Sequence, residues 1–336
     1  MIIEATAPVR IDLAGGAFDV HPLYLFEGGG VTVNMAIDIR TMARLETRAD
    51  REIHIRSLDL GVTQSAKDVD SLDVEGELGF IARILKFYRP VTGLDVTTSV
   101  DIPKGSGLGT SSSLLISLSG ALNVLNGTNY TAEQIIDFGA NIEAQSLRVP
   151  TGKQDYFAAW YGWFNAIWSE ISGCRNERLP VTEKRADELN ERIVLSFTGQ
   201  PRFSGATNWD LVKGYIDNIG DTREVLRGIQ RTGFEMCECL RQGAPEERFV
   251  ALLRQEWENR KRCAPGVTNP DVERIIAAAE RAGALANKLC GAGGGGCMIS
   301  YAPPEKRDRV IAALEASGAR HMPYRIARKG LIIKRS

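Results

Sequence analysis

Apolar and polar residues alternate from Ile2 to Leu13 and again from Gly30 to Leu45. That period of two predicts two long strands at the start of the chain. Between them lie Ala14-Gly15-Gly16-Ala17-Phe18-Asp19 and a second glycine cluster, Gly28-Gly29-Gly30. A further short strand falls within residues 51–60. The period then lengthens, and Gly76 to Tyr88 predicts a helix with Phe80, Ile84 and Phe87 on one side. Leu94 to Ile102 is rich in β-branched residues and predicts a strand, after which Leu114-Leu115-Ile116-Ser117-Leu118 opens a buried helix. Thr131-Ala132-Glu133-Gln134 is a capping box that starts a helix through Ile135, Phe138, Ile142 and Glu143. Pro150 and Gly152 end that pattern.

Charge density rises from Glu177 to Arg192, as expected of an exposed connection between two halves. Beyond it, Ile193 to Phe197 predicts a strand, followed by long amphipathic helices near 207–242 and 245–261 and another at 270–282. Cys297 to Tyr301 predicts a short strand, and the chain closes with a helix near 305–317 and two short strands. Strands and helices mix without a regular βα repeat, which predicts the α+β class rather than a doubly wound sheet. The expected division is an N-terminal domain over residues 1–190 and a C-terminal domain over 191–336.

Composition narrows the function classes. A chain of 336 residues is long enough for two domains, and a net charge of −1 gives no reason to expect a nucleic-acid partner or a membrane surface. Met1-Ile2-Ile3-Glu4 lacks the basic and apolar regions of a secretory signal, and no apolar run reaches the length of a membrane span. The expected location is the cytoplasm; a homodimer is left open. The six cysteines form no Cys-x-x-Cys pair, and His21, His54 and His321 are scattered, so zinc spacing is absent. Reduced, mostly buried thiols without chemistry are expected. Trp160, Trp163, Phe164 and Trp168 suit core packing or a pocket wall better than a nucleic-acid stacking platform.

Chemistry concentrates in Pro103-Lys104-Gly105-Ser106-Gly107-Leu108-Gly109-Thr110-Ser111-Ser112-Ser113. Glycines at alternate positions allow positive φ and close approach of a ligand to the backbone. A strand precedes the loop and a helix follows it, so free N–H groups and the positive helix end are offered to phosphate. Thr110 or Ser111 is expected to cap that helix. No Gly-Lys-Ser/Thr closes the loop, which excludes a Walker A element, and the glycine spacing excludes the dinucleotide fingerprint.

Two more glycine motifs accompany this loop: Ala7-Pro8-Val9-Arg10-Ile11-Asp12-Leu13-Ala14-Gly15-Gly16, and Lys288-Leu289-Cys290-Gly291-Ala292-Gly293-Gly294-Gly295-Gly296. In order and spacing the three resemble the signature motifs of the galactokinase, homoserine kinase, mevalonate kinase and phosphomevalonate kinase superfamily, from residue 5 to about 302. Gly152-Lys153-Gln154-Asp155 and Phe197 to Ser204 look most like the bacterial D-glycero-D-manno-heptose phosphate kinases. The resemblance implies two domains, the first like a ribosomal-protein fold and the second ferredoxin-like, with ATP and Mg²⁺ between them.

The implied activity is transfer of the γ-phosphoryl group to a hydroxyl of a sugar or sugar phosphate, with a heptose 7-phosphate phosphorylated at its anomeric position as the leading acceptor. By the same resemblance Pro103, Gly105, Ser106, Gly107, Leu108, Gly109, Thr110, Ser111 and Ser112 hold ATP. Ser111 and Glu143 hold the metal, with Thr110 and Ser112 as alternative hydroxyls. Asp155 is the general base and Arg10 its electrostatic partner; the competing role for Asp155 is to cap a helix starting at Tyr156. Asp19, His21, Gly152 and Arg202 face the acceptor, and the third glycine run floors the site. The superfamily usually has alanines where Ser112 and Ser113 stand, and Gly-Thr-Asp or His-Thr-Asp where this chain has Ala17-Phe18-Asp19. Two alternatives remain: a kinase for a galactose-like or fucose-like sugar or another small alcohol, and a silent sensor of sugar and ATP.

Overall fold

The period-two stretches frame an eight-stranded sheet in a computed structural model of the protein, in which residues 1–103, 105–199 and 205–336 are described. Its first seven strands are β1 (Ile2–Ala14), β2 (Gly30–Thr47), β3 (Ile53–Ser57), β4 (Val62–Ala66), β5 (Leu94–Val100), β6 (Phe164–Glu170) and β7 (Gly173–Arg178). A second, four-stranded antiparallel sheet contains β8 (Ile193–Phe197), β9 (Ala286–Leu289), β10 (Cys297–Tyr301) and β11 (Arg320–His321), in the order β11-β8-β10-β9. The last strand, β12 (Ile332–Arg335), returns to the first sheet and pairs antiparallel with β1. β2 is long enough to serve two neighbours: Gly30–Met35 pairs with β6 and Thr41–Thr47 with β5.

Eleven helices pack around these sheets among the described residues: α1 (Leu23–Phe26), α2 (Gly79–Tyr88), α3 (Thr110–Asn126), α4 (Ala132–Leu147), α5 (Gln154–Tyr161), α6 (Glu183–Arg192), α7 (Gly205–Ile216), α8 (Thr222–Gln242), α9 (Glu246–Lys261), α10 (Pro270–Ala282) and α11 (Arg307–Ala316). β1 belongs to two cores. Its first half packs Ile3, Ala5 and Ala7 with Ile84 of α2, Leu115 of α3, Ile135 of α4 and Phe157 of α5. Its second half packs Val9, Ile11 and Leu13 with Met236 of α8, Phe249 of α9, Leu195 of β8 and Ile299 of β10. Arg10 and Asp12 therefore sit where the two layers meet. Register shifts against β2 flank them, between Pro8 and Val9 and between Asp12 and Ala14, and such irregularities re-aim side chains.

The capping box at Thr131 and Gln134 forms as expected, with both reciprocal hydrogen bonds. Several other expectations need correction. Phe87 is 41% exposed, because α2 buries Ile81, Ile84, Leu85 and Tyr88 instead. The span 207–242 is two helices, broken where Asn218 and Gly220 take φ of +52° and +55°. The charged stretch before Ile193 contains α6, which tucks Ala186 and Leu189 inward. β6 was hidden in the aromatic cluster: Phe164, Ala166 and Ile167 are all buried, so no alternation marks the strand. Trp163 and Phe164 meet edge to face at 5.5 Å in a core, which favours packing over a pocket wall. All six cysteines are free, and all but the half-buried Cys174 are buried. Among the described residues no helix is long and apolar enough to cross a membrane.

Candidate active site

The three glycine motifs converge on one cleft of about 1150 Å³. Gly105, Gly107 and Gly109 adopt φ of +74°, +74° and +77°, the conformation that the alternating glycines predict and one that turns backbone N–H groups toward a common point. The N-cap of α3 is Gly109, and no side chain caps it, contrary to the expectation for Thr110 or Ser111. The amides of the first turn are thus left to a ligand. Pro103, Gly105, Ser106, Gly107, Gly109, Thr110, Ser111 and Ser112 all line the cleft. Leu108 does not: it is fully buried, and its carbonyl accepts from the Arg10 N–H at 3.0 Å. The third glycine run braces the loop from behind, with Cys297 N–H donating to the Ser106 carbonyl at 2.6 Å and Gly291 lying against Gly107.

β1 and α5 bring the charged pair together. Arg10 Nε donates to Asp155 Oδ1 at 2.6 Å and Nη1 donates to the Gly107 carbonyl at 2.7 Å. One guanidinium therefore ties the carboxylate to the glycine loop. Asp155 lies in the first turn of α5, whose N-cap is Lys153, so it does not cap the helix. Burial pushes its carboxyl up to about 6; Arg10 pulls down, while Asp19 and Glu143 push further up. Arg10 is buried at 4% exposure, not a surface strand arginine.

α4 supplies Glu143, 3% exposed, whose Oε1 accepts from Ser111 Oγ and whose Oε2 accepts from Ser112 Oγ at 3.0 Å and from the Tyr156 hydroxyl. Glu143, Ser111 and Ser112 face the cleft, and this all-oxygen donor set suits a hard cation that also keeps phosphate and water ligands. Among the described residues no cluster of three His, Cys, Asp or Glu forms a self-sufficient metal cage.

An antiparallel bridge between Val20 and Gly152 sets Asp19 beside the start of α5. A Cβ on Gly152 would lie 2.1 Å from Asp19 Oδ2, so any larger residue there would displace the Asp19 carboxylate. Asp19 Oδ2 accepts from the Gln154 N–H at 2.9 Å, whereas the buried Oδ1 has no partner among the described residues. Burial raises the Asp19 carboxyl, offset in part by the Gln154 N–H, Arg10 and Arg260. His21 is exposed, edge-on to Tyr24, and does not line the cleft. Arg202 lies outside the described residues.

Four charged groups, Arg260 on the cleft wall and Asp12, Lys288 and Glu256 behind it, were not read from the sequence. Lys288 Nζ, wholly buried on β9, donates to Asp12 Oδ2 at 2.8 Å and to the Asp12 carbonyl at 2.7 Å. Asp12 Oδ1 also accepts from the Gly291 N–H at 2.9 Å. Burial alone would raise the Asp12 carboxyl, but Lys288, Arg10 and Arg260 hold it well below the usual carboxylate range. Glu256 and Arg260 come from successive turns of α9, and among the described residues both oxygens of the buried Glu256 lack hydrogen-bond partners. The spacing of Asp12 two residues after Arg10 on one strand was the available signal for Asp12 alone; α9 carries charges around its whole circumference and offered none.

With this geometry, comparison with known proteins is decisive about family. Residues 78–163 match the GHMP kinases N terminal domain and residues 240–320 match the GHMP kinases C terminal domain. The chain belongs to the GHMP kinase family and is an ATP-dependent kinase with that family's two-domain fold. It is 28% identical over 341 residues, 98% of each chain, to a D-glycero-alpha-D-manno-heptose 7-phosphate kinase of Campylobacter jejuni. A mevalonate kinase of Thermococcus sibiricus is 28% identical over 99% of each chain. Among solved structures, a D-glycero-D-manno-heptose 1-phosphate kinase from Bacteroides thetaiotaomicron superimposes with a TM-score of 0.81 at 25% identity, covering 99% of both chains.

Proposed function

We propose that the protein transfers the γ-phosphoryl group of ATP to the anomeric hydroxyl of a heptose 7-phosphate, with Asp155 as general base. The observation that carries this reading is the Arg10–Asp155 pair, held against the glycine loop and facing the same cleft as the unpartnered Asp19 Oδ1. The loop amides and the N-terminus of α3 bind the ATP phosphates. Asp19 Oδ1 accepts a hydrogen bond from a sugar hydroxyl, which satisfies an acceptor that otherwise stays buried and unpaired.

Asp155 takes the proton of the acceptor hydroxyl, the acceptor oxygen bonds to the γ-phosphorus, and the bond from that phosphorus to the bridging oxygen of ADP breaks. With its carboxyl near 6, Asp155 is ionised at neutral pH yet basic enough to accept that proton. Arg10 keeps it ionised and orients it, and adds positive charge beside the transferring group. Ser111 and Glu143 would hold Mg²⁺, which when bound neutralises phosphate charge; Ser112, on the same carboxylate, shares in orienting Glu143.

The test is ADP release with ATP, Mg²⁺ and a panel of acceptors: D-glycero-D-manno-heptose 7-phosphate, the free heptose, galactose, fucose and mevalonate. Turnover of the heptose phosphate at least about 100-fold above the others in kcat/KM supports the reading. Turnover confined to a neutral sugar or to mevalonate overturns it.

A further inference from the structure

Several cationic side chains line the cleft, and they differ in whether their charge is already answered. Arg10 is bound to Asp155 and Gly107, and Arg83 and Arg148 both reach Glu75. Arg320 is exposed to water. Arg260 is different. Its side chain is buried, with 7% of the residue exposed, yet it lines the cleft. Its one hydrogen bond among the described residues runs from Nη2 to the Gly291 carbonyl. No carboxylate among the described residues comes within ion-pair distance of it.

The neighbouring acids do not complete it. Asp12 is committed to Lys288 and the Gly291 N–H. Glu256, one turn earlier on α9, is pushed by burial up to about 7, so much of it is neutral at physiological pH. Guanidinium has five donors, and among the described residues most of those on Arg260 are uncommitted. Gly16 keeps the approach open: a Cβ there would lie 3.2 Å from Arg260 Nη1. A buried cation that faces a cleft, feels carboxylates only at a distance and is paired directly with none among the described residues is a site for an anion that arrives with the ligand. Arg260 and Asp19 line the same cleft.

We propose that Arg260 binds the phosphate that the acceptor already carries and so sets the preference for phosphorylated over neutral sugars. This rests on the acceptor reading above and adds a residue to it: Asp19 takes the sugar hydroxyls and Arg260 takes the anion. The planar fork of the guanidinium suits two phosphate oxygens at once, which a lysine cannot match.

Calorimetric titration without turnover tests this. Wild type, Arg260→Gln and Arg260→Lys are titrated separately with D-glycero-D-manno-heptose 7-phosphate, with the unphosphorylated heptose, and with ATP. Wild type is expected to bind the phosphorylated sugar about 100-fold more tightly than the free sugar. Arg260→Gln should lose about that factor for the phosphorylated sugar alone, with free heptose and ATP within about 3-fold of wild type; Arg260→Lys should fall between. Unchanged ATP affinity reports that the fold of each variant is intact. A preference undiminished in Arg260→Gln overturns the proposal, as does a loss confined to ATP. Failure of the acceptor reading looks different, because wild type then binds neither heptose. In that case inorganic phosphate is the probe: binding lost in Arg260→Gln upholds the anion site, and binding unchanged overturns it.

Discussion

Replacing Arg10 with glutamine should move the acid limb of the pH–rate profile while leaving the cleft in place. Arg10 Nε lies 2.6 Å from Asp155 Oδ1, and the two side chains are 5% and 20% exposed. Unit charges with centres about 4 Å apart interact by roughly 4 kcal/mol at an effective dielectric of about 20, an upper figure once water and side chains relax. An arginine at this range lowers an aspartate by about 1–3 pKa units. Its loss should therefore carry Asp155 from about 6 to about 7–9. The base works ionised, so kcat/KM rises with pH through its pKa. For a shift of about two units, the ionised fraction at pH 7.5 falls from roughly 97% to about a quarter.

The assay is kcat/KM for the acceptor at saturating ATP and Mg²⁺, from pH 5 to 9.5, by ADP release. Arg10→Lys keeps a charge and should shift the limb less than Arg10→Gln. The plateau of Arg10→Gln should also drop by about 10–100-fold, because the charge beside the transferring phosphoryl group is gone. A limb that stays within about 0.3 units of wild type would refute the electrostatic role given to Arg10.

Three further perturbations follow from the same geometry. Lys288→Met strands the buried Asp12 carboxylate and should cost about 3–5 kcal/mol in urea unfolding, with Asp12→Asn added to it recovering most of the loss; an unchanged midpoint contradicts the pairing. Glu256 has a folded pKa of about 7 against an ordinary 4.5, so its contribution to stability is fully present below 4.5 and is lost as pH rises through 7. Glu256→Gln should remove that slope and stabilise the protein at pH 8 by as much as about 3 kcal/mol, read from urea midpoints at pH 5 and pH 8. Gly109→Ala places a Cβ 2.6 Å from Asp155 Cγ at a φ of +77°, so kcat should fall by about 100-fold or more at saturating substrates; wild-type kcat would show that Asp155 need not hold its position.

The parts of the fold that the sequence disclosed are those in which one local rule dominates. β1 and β2 alternate in sequence because polar residues such as Arg10, Asp12, Thr32 and Asn34 recur between the apolar ones, even where both faces are buried, and the glycine loop needs glycine wherever φ turns positive. β9 and β6 escaped because residues on both of their faces are buried, which erases the period of two. α7 and α8 ran together because the break rests on a short turn through Asn218 and Gly220 between two apolar stripes. At the site, Asp155, Glu143 and Arg10 came from the motif resemblance, and the structure brings Arg10 to Asp155 and Ser111 to Glu143. The Asp12–Lys288 pair spans 276 positions, and no local pattern links its members. Arg260 resembles any other charge on α9 until the helix is docked against Gly291.

The central claim is that Asp155 serves the chemical step rather than nucleotide binding. Single turnover of Asp155→Asn with saturating Mg²⁺, ATP and heptose 7-phosphate measures this directly, beside the ATP dissociation constant of the same variant. The account predicts ATP affinity within about 3-fold of wild type and a rate constant lower by about 10²–10⁴. A rate constant within about 10-fold of wild type, with the acceptor bound, would contradict it.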